Sequence, residues 1–166
     1  MKNLKLLLAV LILGAGLIIN GCEDDNNPVD PGPGATASGS FTLNGGGYDN
    51  QTVNIVGGGA LYDSSQDETG VILYGVVNND TATIAIAFPG NSTGNFTWSD
   101  TTSYLSFYTN ISTIYLGVDG STNITSYGNV GSNIAGNFSG TLSLFSADSI
   151  NIDGSFSARR ISDEGL

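Results

Sequence analysis

From Gly39 onward, apolar and polar residues alternate along most of the chain, which predicts β-strands buried on one face. Residues 60–62 predict a short third strand after two alternating segments. Residues 71–77 are almost continuously apolar, which predicts a central strand covered on both faces. Other apolar positions that alternate along predicted strands, and so share a face within each strand, are Phe41, Leu43, Val53, Ile55, Ile84, Ile86, Phe88, Phe96, Trp98, Ile114, Leu116 and Val118.

Turn signals divide these segments. The pairs Asn79-Asp80, Pro89-Gly90 and Asp119-Gly120 each combine residues that favour tight turns. The last pair predicts a turn between a strand that ends at Val118 and a shorter strand around Ile124.

The last third of the chain has the most regular pattern. Its even positions are apolar or glycine through residues 134–144 and again through residues 150–158. Two long strands of matching period with a short connection predict a β-hairpin. The inward glycines Gly136, Gly140 and Gly154 predict bends or bulges in it.

No segment after Cys22 has a helical period, so the pattern predicts an all-β domain over residues 39–160 with a tail at 161–166. Short connections between successive strands favour antiparallel pairing. We therefore expect one antiparallel β-sandwich or flattened barrel of about nine or ten strands. Periodicity alone leaves both closures open.

The first residues follow another pattern. Lys2 and Lys5 form a basic head, and the chain from Leu6 to Ile19 is apolar apart from glycine. This run is shorter than the roughly 20 residues that a membrane-spanning helix needs, and it is typical of the helix of a secretory signal. The sequence Ile19-Asn20-Gly21-Cys22 resembles a bacterial lipobox. The resemblance implies that residues 1–21 are a type II signal peptide and that Cys22 is lipidated.

Residues 22–38 are rich in proline, glycine and acids, which predicts a disordered linker. The acids directly after Cys22 have two interpretations. They form a solvated spacer, or they resemble the surface-export signal of lipoproteins from Bacteroidota-like bacteria. The sequence thus predicts a protein of the bacterial cell envelope that is anchored in the outer membrane, and it leaves open which side the protein faces.

The charge balance limits the partners. The chain contains four Lys and Arg residues against fifteen Asp and Glu residues, and Arg159 and Arg160 are the only cations after Cys22. Such a surface repels nucleic acid and anionic lipids, so membrane attachment would depend on the covalent lipid at Cys22. The chain has no His and one Cys, which excludes Ser-His-Asp and Cys-His catalysis and His/Cys zinc sites.

Asp63, Asp67 and Glu68 lie in one short acidic segment. Two interpretations are a solvated loop and a Ca²⁺ site, because Ca²⁺ prefers several carboxylate ligands from one loop. A glycosidase would need two facing carboxylates about 5 to 9.5 Å apart. Glu68 is the only Glu between the linker and the tail, so we expect no enzyme and no cofactor beyond this calcium.

Aromatic residues offer a second candidate site. The alternation predicts that Leu105 and Phe107 share one strand face and that Tyr104 and Tyr108 share the other. Trp98, Tyr104 and Tyr108 could form a platform on which a sugar ring or small ligand stacks. Packing within the sheet explains the same aromatic residues equally well.

Residues 124–128, 136–142 and 154–160 resemble the ending of small, uncharacterised, β-rich envelope lipoproteins of Bacteroidota-like bacteria. These motifs describe a hairpin and no active site. The lipobox, the linker and the missing catalytic residue types together predict a non-enzymatic, lipid-anchored protein whose β domain serves binding or structure, with a glycan or another envelope protein as partner. The alternative is a carbohydrate- or small-ligand-binding module, and a carboxylate-based glycosidase is a third.

Overall fold

The computed structural model describes residues 36–98, 102–110, 113–144 and 148–164. The predicted signal peptide, Cys22 and most of the predicted linker lie outside these residues. The described chain forms strands and turns without a helix, which confirms the all-β prediction. Its strands are β1 (Ala37–Gly45), β2 (Tyr48–Asp63), β3 (Glu68–Val77), β4 (Asp80–Pro89), β5 (Gly94–Thr97), β6 (Tyr104–Asn110), β7 (Thr113–Tyr127), β8 (Asn133–Leu144) and β9 (Asp148–Glu164).

Eight of the strands close into an antiparallel barrel. The order runs β7-β6-β4-β3-β2-β1-β9-β8, and β8 pairs again with β7. β5 is an additional strand that pairs with the second half of β7. Closure depends on pairing between the first and last strands, which places Ala37 opposite Ala158. A barrel is therefore the correct choice between the two predicted closures.

Two predicted strand breaks are wrong. The Asp119-Gly120 pair lies inside the continuous strand β7, where the register with β8 shifts between Gly117 and Asp119. Residues 60–62 are likewise the end of β2, beyond a shift between Ile55 and Gly57. A β-bulge adds one residue to a strand and reverses its alternation, which imitates a turn in the sequence pattern.

The interior of the barrel is filled by its own side chains. Phe41 lies at its centre, with ring centroids 6.2 Å from Phe107 and 6.5 Å from Phe138. Leu105 and Phe107 are fully buried, as the alternation in β6 predicts. Barrels of eight strands have an interior just wide enough for side chains to fill or to hold one small ligand. In this barrel, the described side chains fill the interior.

The strands extend past the predicted domain limits. β1 begins at Ala37, and β9 continues to Glu164, where it pairs in parallel with the end of β2. The start of β1 and the end of β9 lie at the same end of the barrel, which we call the linker end. The opposite end, which we call the far end, carries the tight turns at residues 46–47 and 78–79.

Candidate functional site

Trp98 lies inside the barrel. Its side chain is 5% exposed, and its Nε1–H donates to Thr122 Oγ1 at 2.9 Å. The indole occupies the space left by Gly117, Gly120 and Gly140, where added Cβ atoms would lie 2.5 to 2.7 Å from the ring. The structure therefore separates Trp98 from Tyr104 and Tyr108, and the three do not form one platform.

Tyr104 and Tyr108 lie on the outer wall, on the face of β6 opposite Leu105 and Phe107. Tyr74 of β3 joins them, because Tyr74 and Tyr108 both pair with Thr83 of the strand between them. We call these three residues the tyrosine face. Tyr74 is not predicted as part of this site by the sequence, since it lies within a run of apolar residues.

Small residues of β4 form the floor of the tyrosine face. Thr83, Ala85 and Ala87 point outward, yet each is 5% exposed or less. Tyr104 pairs with Ala87, and Ile72 packs against Ala85. The outer wall thus carries a thin second apolar layer in which large side chains of β3 and β6 cover small ones of β4.

Two hydroxyl groups of this layer have no partner. Tyr74 Oη and Tyr104 Oη are buried and make no hydrogen bond. Burial raises the pKa of both tyrosines, and the charge of nearby Glu68 raises that of Tyr104 further. Burial also raises the pKa of Tyr108, while its hydrogen bond with Thr83 lowers it. An unpaired buried hydroxyl costs stability, so the packed rings and not the hydroxyl groups hold this layer together.

The acidic segment uses its carboxylates separately. Asp63 Oδ1 accepts hydrogen bonds from the Ser65 amide at 2.8 Å and from Ser65 Oγ at 2.7 Å. Asp67 Oδ1 accepts one from the Tyr62 hydroxyl at 2.8 Å. Glu68 Oε1 is buried without a partner, and burial, followed by the charge of Asp63, raises the pKa of Glu68 to about 7. Among the described residues, no three acidic, His or Cys side chains group as metal ligands.

A buried cation closes the linker end. Arg160 is 7% exposed, and its guanidinium lies 5.8 Å from the ring centroid of Tyr62 and 5.1 Å from that of Tyr127. Its Nη1 donates to the Gly128 carbonyl at 3.0 Å, and its Nη2 lies 2.5 Å from Asp163 Oδ1. The sequence identified Arg160 only as one of two cations, because the rings that enclose it come from distant strands.

A shallow groove of about 330 Å³ lies on the outer wall formed by β1, β8 and β9. Its lining side chains are small and polar, and they lie toward the far end of the barrel. We call it the polar groove, after the seven polar residues among those that line it: Thr42, Asn44, Asn50, Ser139, Thr141, Asn151 and Asp153.

Comparisons with known proteins add no assignment. No family model matches the chain, and neither a curated protein nor a solved structure matches it. Within the described residues, no helix has the length and hydropathy to span a membrane. Function is therefore argued from the geometry of this chain alone.

Proposed function

We propose that this protein is a non-enzymatic, lipid-anchored protein of the bacterial cell envelope, whose β-barrel binds a partner or ligand through its outer wall. The filled interior carries this proposal. Phe41, Leu105, Phe107 and Phe138 lie in the barrel interior and are at most 2% exposed, so large apolar side chains occupy this part of the interior. Recognition would therefore use the tyrosine face or the polar groove.

The position of the chain at the linker end supports the anchored arrangement. The Arg159 amide donates to the Thr36 carbonyl, which fixes the chain at the point where it leaves the spacer. An extended, proline-containing spacer from Cys22 to this point would reach on the order of 40 Å. The far end and the polar groove would then face away from the membrane.

The residue types support a binding role over catalysis. The chain has no His, and Cys22 is its only Cys and the proposed lipid site. The three carboxylates of the acidic segment do not converge on one point, because Asp63 and Asp67 accept hydrogen bonds within their own turn. The rings of the tyrosine face and the amides of the polar groove suit contact with a ligand.

Metabolic labelling tests the anchor. The full chain would be expressed in a Gram-negative host supplied with an alkyne-modified fatty acid, and the Cys22→Ser variant would serve as the control. We expect the label in the membrane fraction of the wild type and none in the variant. A wild-type protein that keeps Met1 at its N-terminus, or that carries no fatty acid, would contradict the proposal.

Carbohydrate binding is the more specific alternative, and the polar groove favours it. The groove presents hydroxyl, amide and carboxylate groups together, which is the mixture of donors and acceptors that sugar hydroxyls require.

A further inference from the structure

We infer that the polar groove binds a sugar unit of an uncharged carbohydrate. The inference rests on the proposed binding role and names its ligand class. It follows from the arrangement of the lining side chains, from their free hydrogen-bonding groups and from the charge of the chain.

Six of the lining side chains form two parallel rows. Strand register places Thr42 opposite Asp153 and Asp153 opposite Ser139. The second row, one step nearer the far end, is Asn44, Asn151 and Thr141. Neighbouring strands lie about 4.8 Å apart, and side chains on one face repeat about every 6.8 Å. The resulting grid has the dimensions of a sugar ring with its hydroxyl groups.

Most hydrogen-bonding groups in the grid are free. The one side-chain hydrogen bond that joins two of the six runs from Thr141 Oγ1 to Asn151 Oδ1 at 3.0 Å. This bond orients the Asn151 amide and leaves its two N–H groups free to donate. The Asp153 carboxylate accepts, and the hydroxyls of Thr42 and Ser139 do both. A ligand that fits the grid therefore carries groups that donate and accept, as sugar hydroxyls do.

The charge of the groove disfavours anionic ligands. Arg159 and Arg160 are the only cations after Cys22, and both lie at the linker end, away from the groove. Nothing in the groove would neutralise a phosphate, a sulfate or a sugar acid, and Asp153 would repel them. Six of the seven polar lining side chains are uncharged. An uncharged polyhydroxy compound, which presents hydroxyl groups together with C–H surface, suits this lining.

The backbone beneath the groove packs closely on the barrel interior. Gly140 lies between Ser139 and Thr141 and has φ +159°. Gly140 pairs with Gly120 of β7, and a Cβ added at Gly140 would lie 2.6 Å from the Gly120 Cα. A Cβ at Gly140 would also lie 2.6 Å from the Trp98 ring, so the sheet lies close to the indole at this point. The groove therefore lies on the outer side of a wall segment whose inner side accommodates the indole.

Backbone amide NMR of the full chain in detergent micelles tests the inference. The probes would be an uncharged trisaccharide and a trisaccharide of the same size that contains a uronic acid. We expect the uncharged probe to shift amide signals of residues 42–44, 139–141 and 151–153, with a Kd on the order of 1 mM because the site has no aromatic ring. We expect binding of the uronic acid probe to be at least tenfold weaker.

Two variants and a matched control separate the groove from the rest of the wall. Asn44→Ala and Asn151→Ala should each weaken binding about three- to tenfold, since each removes hydrogen bonds to an uncharged ligand. Asn137→Ala changes an equally exposed asparagine of β8 outside the groove and should leave the affinity unchanged. Equal losses in all three variants, absence of shifts with the uncharged probe, or equal binding of the uronic acid probe would each overturn the inference. Lipid labelling at Cys22 without groove shifts would refute the ligand and leave the anchor standing.

Discussion

The guanidinium of Arg160 lies 5.1 Å from the ring centroid of Tyr127, and the same guanidinium lies 5.8 Å from the ring of Tyr62. Arg160 belongs to β9, Tyr62 to β2 and Tyr127 to β7. One side chain thus joins three strands that are far apart in the sequence, at the end where the chain enters the barrel. Stability at this end should depend on it.

Replacement of Arg160 by alanine should lower the free energy of unfolding by about 3 kcal/mol. The variant loses two ring contacts, the bond to the Gly128 carbonyl and the contact with Asp163. Arg159→Ala removes a neighbouring exposed arginine and should cost less than about 0.5 kcal/mol. Urea unfolding measures both values. Similar small losses in the two variants would show that Arg160 does not stabilise this end.

Removal of the Tyr104 hydroxyl should not destabilise the barrel. The hydroxyl is buried without a partner, so Tyr104→Phe should be neutral or stabilise the fold by up to about 1 kcal/mol. The Tyr127 hydroxyl lies 2.7 Å from Thr69 Oγ1, so Tyr127→Phe should cost about 1 kcal/mol. Thermal unfolding of the two variants compares them directly. If Tyr104→Phe lost as much stability as Tyr127→Phe, the result would contradict the absence of a hydrogen-bond partner for the Tyr104 hydroxyl.

Gly120 should not tolerate a side chain. It has φ +144°, and an added Cβ would lie 2.5 Å from the Ser139 carbonyl oxygen and 2.5 Å from the indole of Trp98. Gly120→Ala should therefore cost more than about 3 kcal/mol or prevent folding. Gly47 has φ +90° with no atom within 4 Å of an added Cβ, so Gly47→Ala should cost only about 1 to 2 kcal/mol of backbone strain.

Expression level and urea unfolding compare these two alanine variants. The fluorescence of Trp98, the only tryptophan, reports whether the Gly120→Ala protein still buries the indole. A stable Gly120→Ala protein with a buried indole would show that the bend between β7 and β8 is not as close as described.

Glu68 should make the barrel less stable as the pH rises. Its pKa is about 7 in the folded chain and 4.5 in an ordinary setting, because burial disfavours the charged form. Between these two values the unfolded chain releases the proton while the folded chain keeps it, so stability falls from about pH 4.5 to pH 7. The glutamine side chain cannot ionise, so Glu68→Gln should remove this fall in stability with pH.

The variant should match the wild type near pH 4 and exceed it by about 1 kcal/mol at pH 8, a value reduced for the solvent that reaches this half-buried side chain. Urea unfolding across this pH range measures the difference. Asp119→Asn, which neutralises an exposed acid, controls for the change in net charge. A constant difference between Glu68→Gln and the wild type across the range would contradict the raised pKa.

Much of the fold follows from local pattern. Alternation placed Leu105 and Phe107 on one face of a strand and Tyr104 and Tyr108 on the other, and the structure confirms this division. The long hairpin of β8 and β9 was also predicted from its even-numbered apolar positions. Such features can be predicted from the sequence because the side chains of a strand alternate with a period of two residues.

The candidate site was harder to predict from the sequence. Trp98 and Tyr104 both suit a ligand platform by residue type, yet they lie on opposite sides of the barrel wall. Trp98 is directed inward because Gly117, Gly120 and Gly140 leave a space that only a large ring fills. Those glycines come from two strands, and their convergence depends on pairing between residues far apart in the chain.

The sequence by itself determined that the chain from Gly39 onward forms antiparallel strands, that its surface is acidic and that it lacks the residue types of common catalytic sites. Tertiary structure decided how the sheet closes, that Arg160 is buried between two rings and that the polar groove brings together residues of β1, β8 and β9. The physical reason is the sequence separation of the residues that interact. Alternation and turn chemistry act between residues a few positions apart, whereas closure pairs Ala37 with Ala158 and depends on the whole barrel at once.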